Sequence, residues 1–365
     1  MRLVCQSTGQ RFPVDEPMWR SPAGALLDLE LAPRIDPAVV ARRAPSLWRY
    51  REALPLRDDS NIVSFGEGFT PLRRFEHGGR HVWLKLDHLF PSGSFKDRGA
   101  TLLVSKVREL GVRRIVEDSS GNAGAAFALY AAQAGVECEI FAPAHASAGK
   151  LVQIRRCGAR LHSIPGPRET AAQAALDAAQ SAYYASHCWN PFFLHGAKTF
   201  AYEVVEQLGW RAPETVVLPA GNGTLLLGCA IGFAELAEAG LISRIPRLVA
   251  VQAAACAPLA NAAAAQQTAP TDVAPRATLA EGIAVRTPVR GVQCLRAVRD
   301  SGGCWITVSE DEILAALQHL HRHGYYAEPT CAVAVAALAR LDDLGECVVP
   351  LTGHGLKATE TIAAL

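Results

Sequence analysis

The chain has 365 residues, a formal net charge of +1, an apolar fraction of 50% and a charged fraction of 19%. That length builds about two domains with a large buried core, and the composition excludes both a disordered chain and the basic stripe of a nucleic-acid protein. No run of ~18 apolar residues offers a membrane span, and the opening MRLVCQSTGQ has no apolar secretory segment, so the cytoplasm is the expected compartment.

Residues 1–60 carry many prolines and arginines and a weak period, and are expected to pack on the main body as an extension. From about residue 80, short apolar runs predict strands at 82–86, 114–117, 137–141, 160–164, 215–219, 248–252, 305–308 and 347–351. Ala- and Leu-rich stretches between them predict helices such as 123–134, 198–208 and 225–239. Alternation of this kind implies an α/β fold with a parallel sheet and right-handed crossovers. Residues 253–277 read as a loop or irregular helix. Ser309-x-x-Glu312 reads as a capping box that opens a helix.

The ten cysteines form no C-x-x-C and no cluster with histidine, so they read as small buried hydrophobes, and no metal site is expected. His319, His321 and His323 are two apart on a predicted helix and share no face; they read as cations near its C-terminus. Tyr325 and Tyr326 read either as pocket lining or as packing aromatics. Glu281 reads either as an acid/base group or as an ordinary exposed glutamate.

Lysine is scarce, being confined to Lys85, Lys96, Lys106, Lys150, Lys198 and Lys357, so each setting is informative. In Pro91-Ser92-Gly93-Ser94-Phe95-Lys96-Asp97-Arg98-Gly99-Ala100 a turn leads into a helix predicted from Ala100. Lys96 then stands near the helix's positive end, which disfavours an ammonium and suits an amine that attacks a carbonyl. A plain surface lysine is the other reading. Ser119-Ser120-Gly121-Asn122-Ala123-Gly124 follows a strand and opens an Ala-rich helix. Its backbone amides suit a carboxylate, although Ser and Asn also serve as ordinary N-caps.

Pro219-Ala220-Gly221-Asn222-Gly223-Thr224 joins an apolar strand to a helix. It is a phosphate cradle or a tight turn, and neither G-x-G-x-x-G nor a P-loop. Leu351-Thr352-Gly353-His354-Gly355-Leu356-Lys357 puts a hydroxyl at a strand's C-terminal end, where open α/β sheets take ligands. His354 there is a base or a satisfied histidine. A lysine amine, an anion loop, a phosphate loop and a hydroxyl suit one cofactor with an aldehyde, a phosphate and a ring nitrogen, pyridoxal 5′-phosphate.

Over residues 65–357 the chain resembles the threonine synthase branch of the fold type II (tryptophan synthase β-like) pyridoxal-phosphate enzymes. The markers, in family order, are Glu67-Gly68-Phe69-Thr70-Pro71-Leu72, PSGSFKDRGA, SSGNAG, Asn190-Pro191 with Gly196-Ala197-Lys198-Thr199, PAGNGT, Glu328-Pro329-Thr330-Cys331-Ala332 and LTGHGLK. The resemblance implies two open twisted α/β domains with the cofactor in the cleft between them. Residues 61–98 plus 187–365 would form the large domain and 99–186 the small one. Cys5 is alone in the first 137 residues, so 1–60 would be an extension, with a degenerate, zinc-free ribbon as one reading.

The resemblance also implies roles. Lys96 would be the Schiff-base lysine and proton shuttle, and Asn122 the partner of the cofactor's phenolic oxygen. Gly221, Asn222, Gly223 and Thr224 would hold its phosphate, and Thr352 would face its ring nitrogen. Ser119 and Ser120 would belong to the substrate loop. A small amino-acid substrate and a homodimer are implied too.

The departures bear on substrate. Enzymes of this branch use O-phosphohomoserine and bind its phosphate through a hydroxyl, an asparagine, an arginine and a second asparagine, where this chain has Ala123, His187, Phe193 and Leu225. Phenylalanine cannot replace arginine's bidentate contact, and loss of one charged partner costs on the order of 1.5–3 kcal/mol. Leu279-Ala280-Glu281-Gly282-Ile283-Ala284-Val285 resembles the serine/threonine dehydratases more closely. The expected activity is elimination or replacement at Cβ or Cγ of a small L-amino acid other than O-phosphohomoserine. The alternatives are a genuine threonine synthase, a serine/threonine ammonia-lyase and a non-catalytic pyridoxal-phosphate-binding protein.

Overall fold

The computed structural model describes residues 1–119, 121–144, 148–166 and 168–365. The chain divides into two compact units, Met1–Gly68 with Lys96–Ala197 and Phe69–Phe95 with Lys198–Leu365. Residues 1–60, expected as an extension, are counted within the first unit.

The first unit holds two sheets. In the smaller, β1 (Arg2–Cys5) lies between β2 (Arg11–Phe12) and β3 (Leu27–Glu30), all antiparallel. Leu3, Cys5 and Leu27 from it share one hydrophobic core with the larger sheet, and Trp19 meets Tyr184 edge to face at 4.9 Å. The larger sheet is parallel and runs in the order β8 (Arg160–Ile164), β7 (Glu137–Pro143), β6 (Arg114–Glu117), β9 (Tyr183–Tyr184). Both faces of β6 and β7 are covered, so residues on both sides of each strand are buried. The chain steps from β6 to β7 to β8, and β9 then returns to the other flank of β6. Strand order therefore reverses between β6 and β9, and the crevice outside their carboxyl ends is where an open sheet takes a ligand.

The second unit has one sheet in the order β12 (Trp305–Val308), β11 (Arg247–Ala253), β10 (Thr215–Pro219), β13 (Cys347–Pro350), β5 (Arg80–Lys85), β4 (Leu72–His77). Neighbours are parallel except the β4–β5 pair. Here the chain steps from β10 to β11 to β12, and β13 returns to the other flank of β10. This sheet reverses its order between β10 and β13.

Strands expected at 114–117, 160–164, 215–219 and 305–308 are found with those limits. β4 was not predicted, because Phe75 is its one buried residue among charged neighbours. The stretch 253–277 forms the short helix Pro258–Ala264 followed by irregular chain. At the helix Glu310–Arg322 both arms of the capping box form, Glu312 N–H to Ser309 Oγ at 3.3 Å and Ser309 N–H to Glu312 Oε2 at 2.7 Å. Among the described residues no helix is long and apolar enough to cross a membrane.

One buried ion pair braces the second unit. Lys85 Nζ lies 2.7 Å from Glu203 Oε2, and both side chains are fully buried. Lys85 also donates to the Thr70 carbonyl at 2.5 Å and to Gln207 Oε1 at 2.9 Å. Glu203→Ala strips the carboxylate from a buried ammonium and is expected to lower unfolding free energy by about 3–5 kcal/mol. Chemical denaturation measures this, and a loss below about 1 kcal/mol would mean that water reaches the ammonium.

Candidate active site

In the first unit the helix Lys96–Glu109 begins at Lys96 itself rather than at Ala100. The amine is thus in the first turn, at the positive end of the dipole. Lys96 Nζ lies 5.6 Å from the centre of the Phe193 ring, within reach of its negative face. Phe193, on the helix Pro191–Ala197, is fully buried and belongs to the core. One turn after Lys96, a Cβ on Gly99 would come within 2.5 Å of that same ring. Only glycine fits there while phenylalanine stands opposite.

At the carboxyl end of β6 is Glu117, which sequence reading missed. It is fully buried, and its Oε1 lies 2.6 Å from Nδ1 of His187, just beyond β9. His187 is buried too and meets the Phe193 ring edge-on at 5.9 Å. Burial, followed by the positive charges of Lys96 and Arg168, holds His187 well below the usual imidazole range. Burial, followed by Asp118, pushes Glu117 well above the usual carboxylate range, against the pull of Lys96 and Arg168. Both directions disfavour a charged pair here, and the 2.6 Å contact is a hydrogen bond whose donor depends on the imidazole tautomer. Glu117 Oε2 has no hydrogen-bond partner among the described residues. The signal available in the sequence was an acid that closes a strand whose Ile115 and Val116 are buried.

Ser119 is buried, and its Oγ accepts from Gly121 N–H at 3.3 Å. Asn122 opens the helix Asn122–Ala134, with Gly121 at the N-cap and buried Ala123 in the first turn. Ser120 lies outside the described residues. The expected loop therefore stands at the carboxyl end of β6, beside the strand-order reversal.

In the second unit the loop after β10 passes through Gly221, Asn222 and Gly223 into the helix Thr224–Glu238. Gly223 has φ 75°, and a Cβ on it would lie 2.1 Å from Cys294 Sγ. Glycine lets the loop lie flat against Cys294 of the helix Gly291–Asp300. The first amides of a helix have no partner within it and stand at its positive end. Leu225, in that first turn, is buried. Thr352, just past β13, is buried with its Oγ1 3.5 Å from Cys331 Sγ, and its carbonyl accepts from Phe95 N–H at 2.9 Å. β10 and β13 flank the second reversal, so the glycine loop and the hydroxyl fall at one crevice. The donor chemistry fits pyridoxal 5′-phosphate: backbone amides and a threonine for the phosphate, a neutral hydroxyl for the ring nitrogen, and a lysine at a helix start.

Other candidates have structural roles. His354 Nδ1 accepts from Leu356 N–H at 3.2 Å and caps its own turn. Against the expectation that the three histidines share no face, His319 and His323, four apart, stand on one face and pack on Phe75 at 5.3 and 5.6 Å, and Tyr325 meets the same ring at 5.5 Å. Glu281 is exposed at the start of a short helical turn. Among the described residues no group of side chains has a metal-ligating arrangement.

Residues 63–353 match the family described as pyridoxal-phosphate dependent enzyme, and the chain belongs to that family. Within it, the likeness is to threonine synthases. The threonine synthase of Methanocaldococcus jannaschii is 33% identical over 97% of this chain and 92% of its own. That of Methanosarcina acetivorans is 34% identical over 99% of this chain and 93% of its own. Among solved structures, maize serine racemase superposes with a TM-score of 0.73 at 20% identity, covering 88% of this chain and 97% of that one; at that identity the likeness is one of fold. The protein is a fold type II pyridoxal-phosphate enzyme of the lyase and synthase kind, with chemistry at Cβ or Cγ of an amino acid.

The Gly99–Phe193 contact gives a test. Glycine to alanine inside a helix ordinarily gains about 1 kcal/mol, but overpacking costs about 1–3 kcal/mol. Gly99→Ala is expected to destabilise, with a lower Tm and less cofactor bound at saturation. Adding Phe193→Leu should restore most of the Tm; a Gly99→Ala protein as stable as the parent would show that the ring yields freely.

Proposed function

We propose that this enzyme carries out elimination or replacement at Cβ or Cγ of a small L-amino acid other than O-phosphohomoserine, with its cofactor joined to Lys96. The supporting observation is the character of the four positions at which the resemblance expects a second phosphate to be held. Phe193 and Leu225 are buried and apolar, Ala123 has no hydroxyl, and His187 is held below the usual imidazole range. Three of the four side chains cannot carry a positive charge and burial opposes one on His187, and a phosphate dianion taken out of water needs charge-assisted partners.

When bound, pyridoxal phosphate supplies an electron sink for charge that develops at Cα. In this reading Gly221, Asn222, Gly223 and Thr224 hold the phosphate through amides at a helix start. Asn122 bonds the phenolic oxygen, and Thr352 offers the ring nitrogen a neutral hydroxyl. Ser119 and Ser120 orient the substrate carboxylate. The Lys96 amine takes the proton from Cα and carries it along the side chain. The Phe193 ring beside Nζ stabilises the ammonium while it holds that proton. A homodimer in the cytoplasm belongs to the same reading.

Borohydride reduction of the holoenzyme followed by peptide mass analysis tests the attachment, and paired assays of keto-acid formation and phosphate release test the substrate. The expected adduct is on Lys96. Lys96→Ala should lose it and drop turnover by about a hundredfold or more. Phosphate release from O-phosphohomoserine that outpaces keto-acid formation from serine and threonine would favour a true threonine synthase. A bound cofactor whose absorbance no amino acid alters would favour a binding protein without turnover.

A further inference from the structure

We infer that Lys357 is a positioning residue for Lys96: its ammonium fastens the turn that leads into the reactive lysine to the segment that carries Thr352. The inference rests on the proposed attachment at Lys96 and adds what holds that attachment point in place.

The turn itself sets the problem. Residues 91–95 follow β5 and the short helical turn Asp87–Leu89, and belong to no helix or strand. Buried chain of that kind has to find its main-chain hydrogen bonds elsewhere, and Ser92 and Ser94 are both buried. Phe95 is the last residue of this stretch in the second unit, and Lys96 is the first of the next stretch in the first unit. The turn is therefore the point at which the chain passes from one unit to the other.

The missing partners come from one stretch, Thr352–Lys357. Phe95 N–H donates to the Thr352 carbonyl at 2.9 Å, and His354 N–H donates to the Gly93 carbonyl at 2.9 Å. Between them Ser94 and Gly353 form an antiparallel bridge. Lys357 Nζ completes the set by donating to the Ser92 carbonyl at 2.9 Å. The stretch is held from its other side as well, where Gly355 N–H donates to the Tyr326 carbonyl and Glu328 N–H to the Gly353 carbonyl, each at 2.9 Å. It acts as a rail, fixed on one side and gripping the turn on the other.

Shape and chemistry agree. Gly93 has φ 82°, and a Cβ on it would stand 3.3 Å from Lys357 Cδ. The lysine stem thus lies along the bare backbone of the turn and brings its amine to the carbonyl of the preceding residue. Two of the three hydrogen bonds run from main chain to main chain and survive any change of side chain. The third is charge-assisted, hence the strongest kind, and depends on one side chain. In the proposed site Thr352 faces the ring nitrogen, so the rail holds that hydroxyl at one end and the approach to Lys96 at the other. A misplacement of about 1 Å in such a frame can cost about a hundredfold in rate.

The test compares holoenzymes of the parent, Lys357→Met, Lys357→Arg and Leu356→Ser. It reads circular dichroism of the cofactor's visible band, which reports how the cofactor is held, and turnover of the amino acid that the parent uses fastest. Lys357→Met keeps the stem and removes the donor. It should still give the borohydride adduct on Lys96 but lose about half or more of the visible dichroism, with kcat down about tenfold or more, KM within about threefold and Tm within a few degrees. Lys357→Arg restores a cationic donor and should recover both signals. Leu356 is the exposed neighbour on the same turn, and Leu356→Ser should match the parent. Lys357→Gln, an uncharged donor on a shorter stem, should fall between, and serves where the methionine variant does not fold.

Parental dichroism and kcat in Lys357→Met, an arginine variant no better than the methionine one, or equal losses in Leu356→Ser would each overturn the inference and leave the cofactor reading standing. A Tm lowered by more than about 10 °C in step with activity, or failure of both the methionine and glutamine variants to fold, would overturn it too, since Lys357 would then brace the fold as a whole. Absence of a borohydride adduct on Lys96 in the parent would overturn both readings together.

Discussion

Everything chemical in this protein depends on a topological constraint, the late return of a parallel strand to the bare flank of an earlier one. β9 comes back to β6 in the first unit, and β13 comes back to β10 in the second. Right-handed crossovers put the intervening helices on opposite faces on either side of each return, so no crossover covers the carboxyl ends there. Glu117, Ser119, Asn122 and His187 gather at one such opening, and Gly221–Thr224 and Thr352 at the other. Two short pairings, Val116 with Tyr184 and Val216 with Val348, therefore decide where the reactive loops stand.

The electrostatics follow a division of labour. Several of the scarce lysines brace the fold through carboxylates: Lys85 with Glu203, Lys106 with Glu109, Lys198 with Glu235. Burial lowers Lys198 to about 8 even with Glu235 beside it. Lys96 differs in standing at the start of a helix. Near the strand exits the protein uses amides, hydroxyls and a buried acid–imidazole pair. Such groups bind without fixing a full charge in a dry place, and leave the large charge movements to the reaction itself.

Much of this was legible in the sequence. Parallel strands covered on both faces announce themselves as apolar runs, which is why 215–219 could be read directly. The glycine loop, the lysine turn and the serine loop lie between such runs and a helical period, so their positions at strand exits followed. β4 and β9 did not show, since one alternates with charge and the other is two residues long. Glu117 stayed hidden for a different reason. Its partner is seventy positions away, in a segment brought beside it by the β6–β9 pairing, and no local pattern carries that information. Phe193 was visible as a departure from the family, but its burial against Gly99 was not.

The small antiparallel sheet at the amino terminus bears on how the protein is cut. Residues 63–353 are the span that matches the family, and they would be the obvious excision for anyone borrowing the catalytic module. Leu3, Cys5, Val14, Trp19 and Leu27 nevertheless lie in one continuous core with Ile115, Val116 and Tyr184, the strands that carry the reactive loop. Removing the first sixty residues would open that core along the flank of β9 and leave Trp189 and Tyr184 bare to solvent. The border of the family model and the border of folding are different places in this chain, and a module trimmed to the former would lose its footing at the latter.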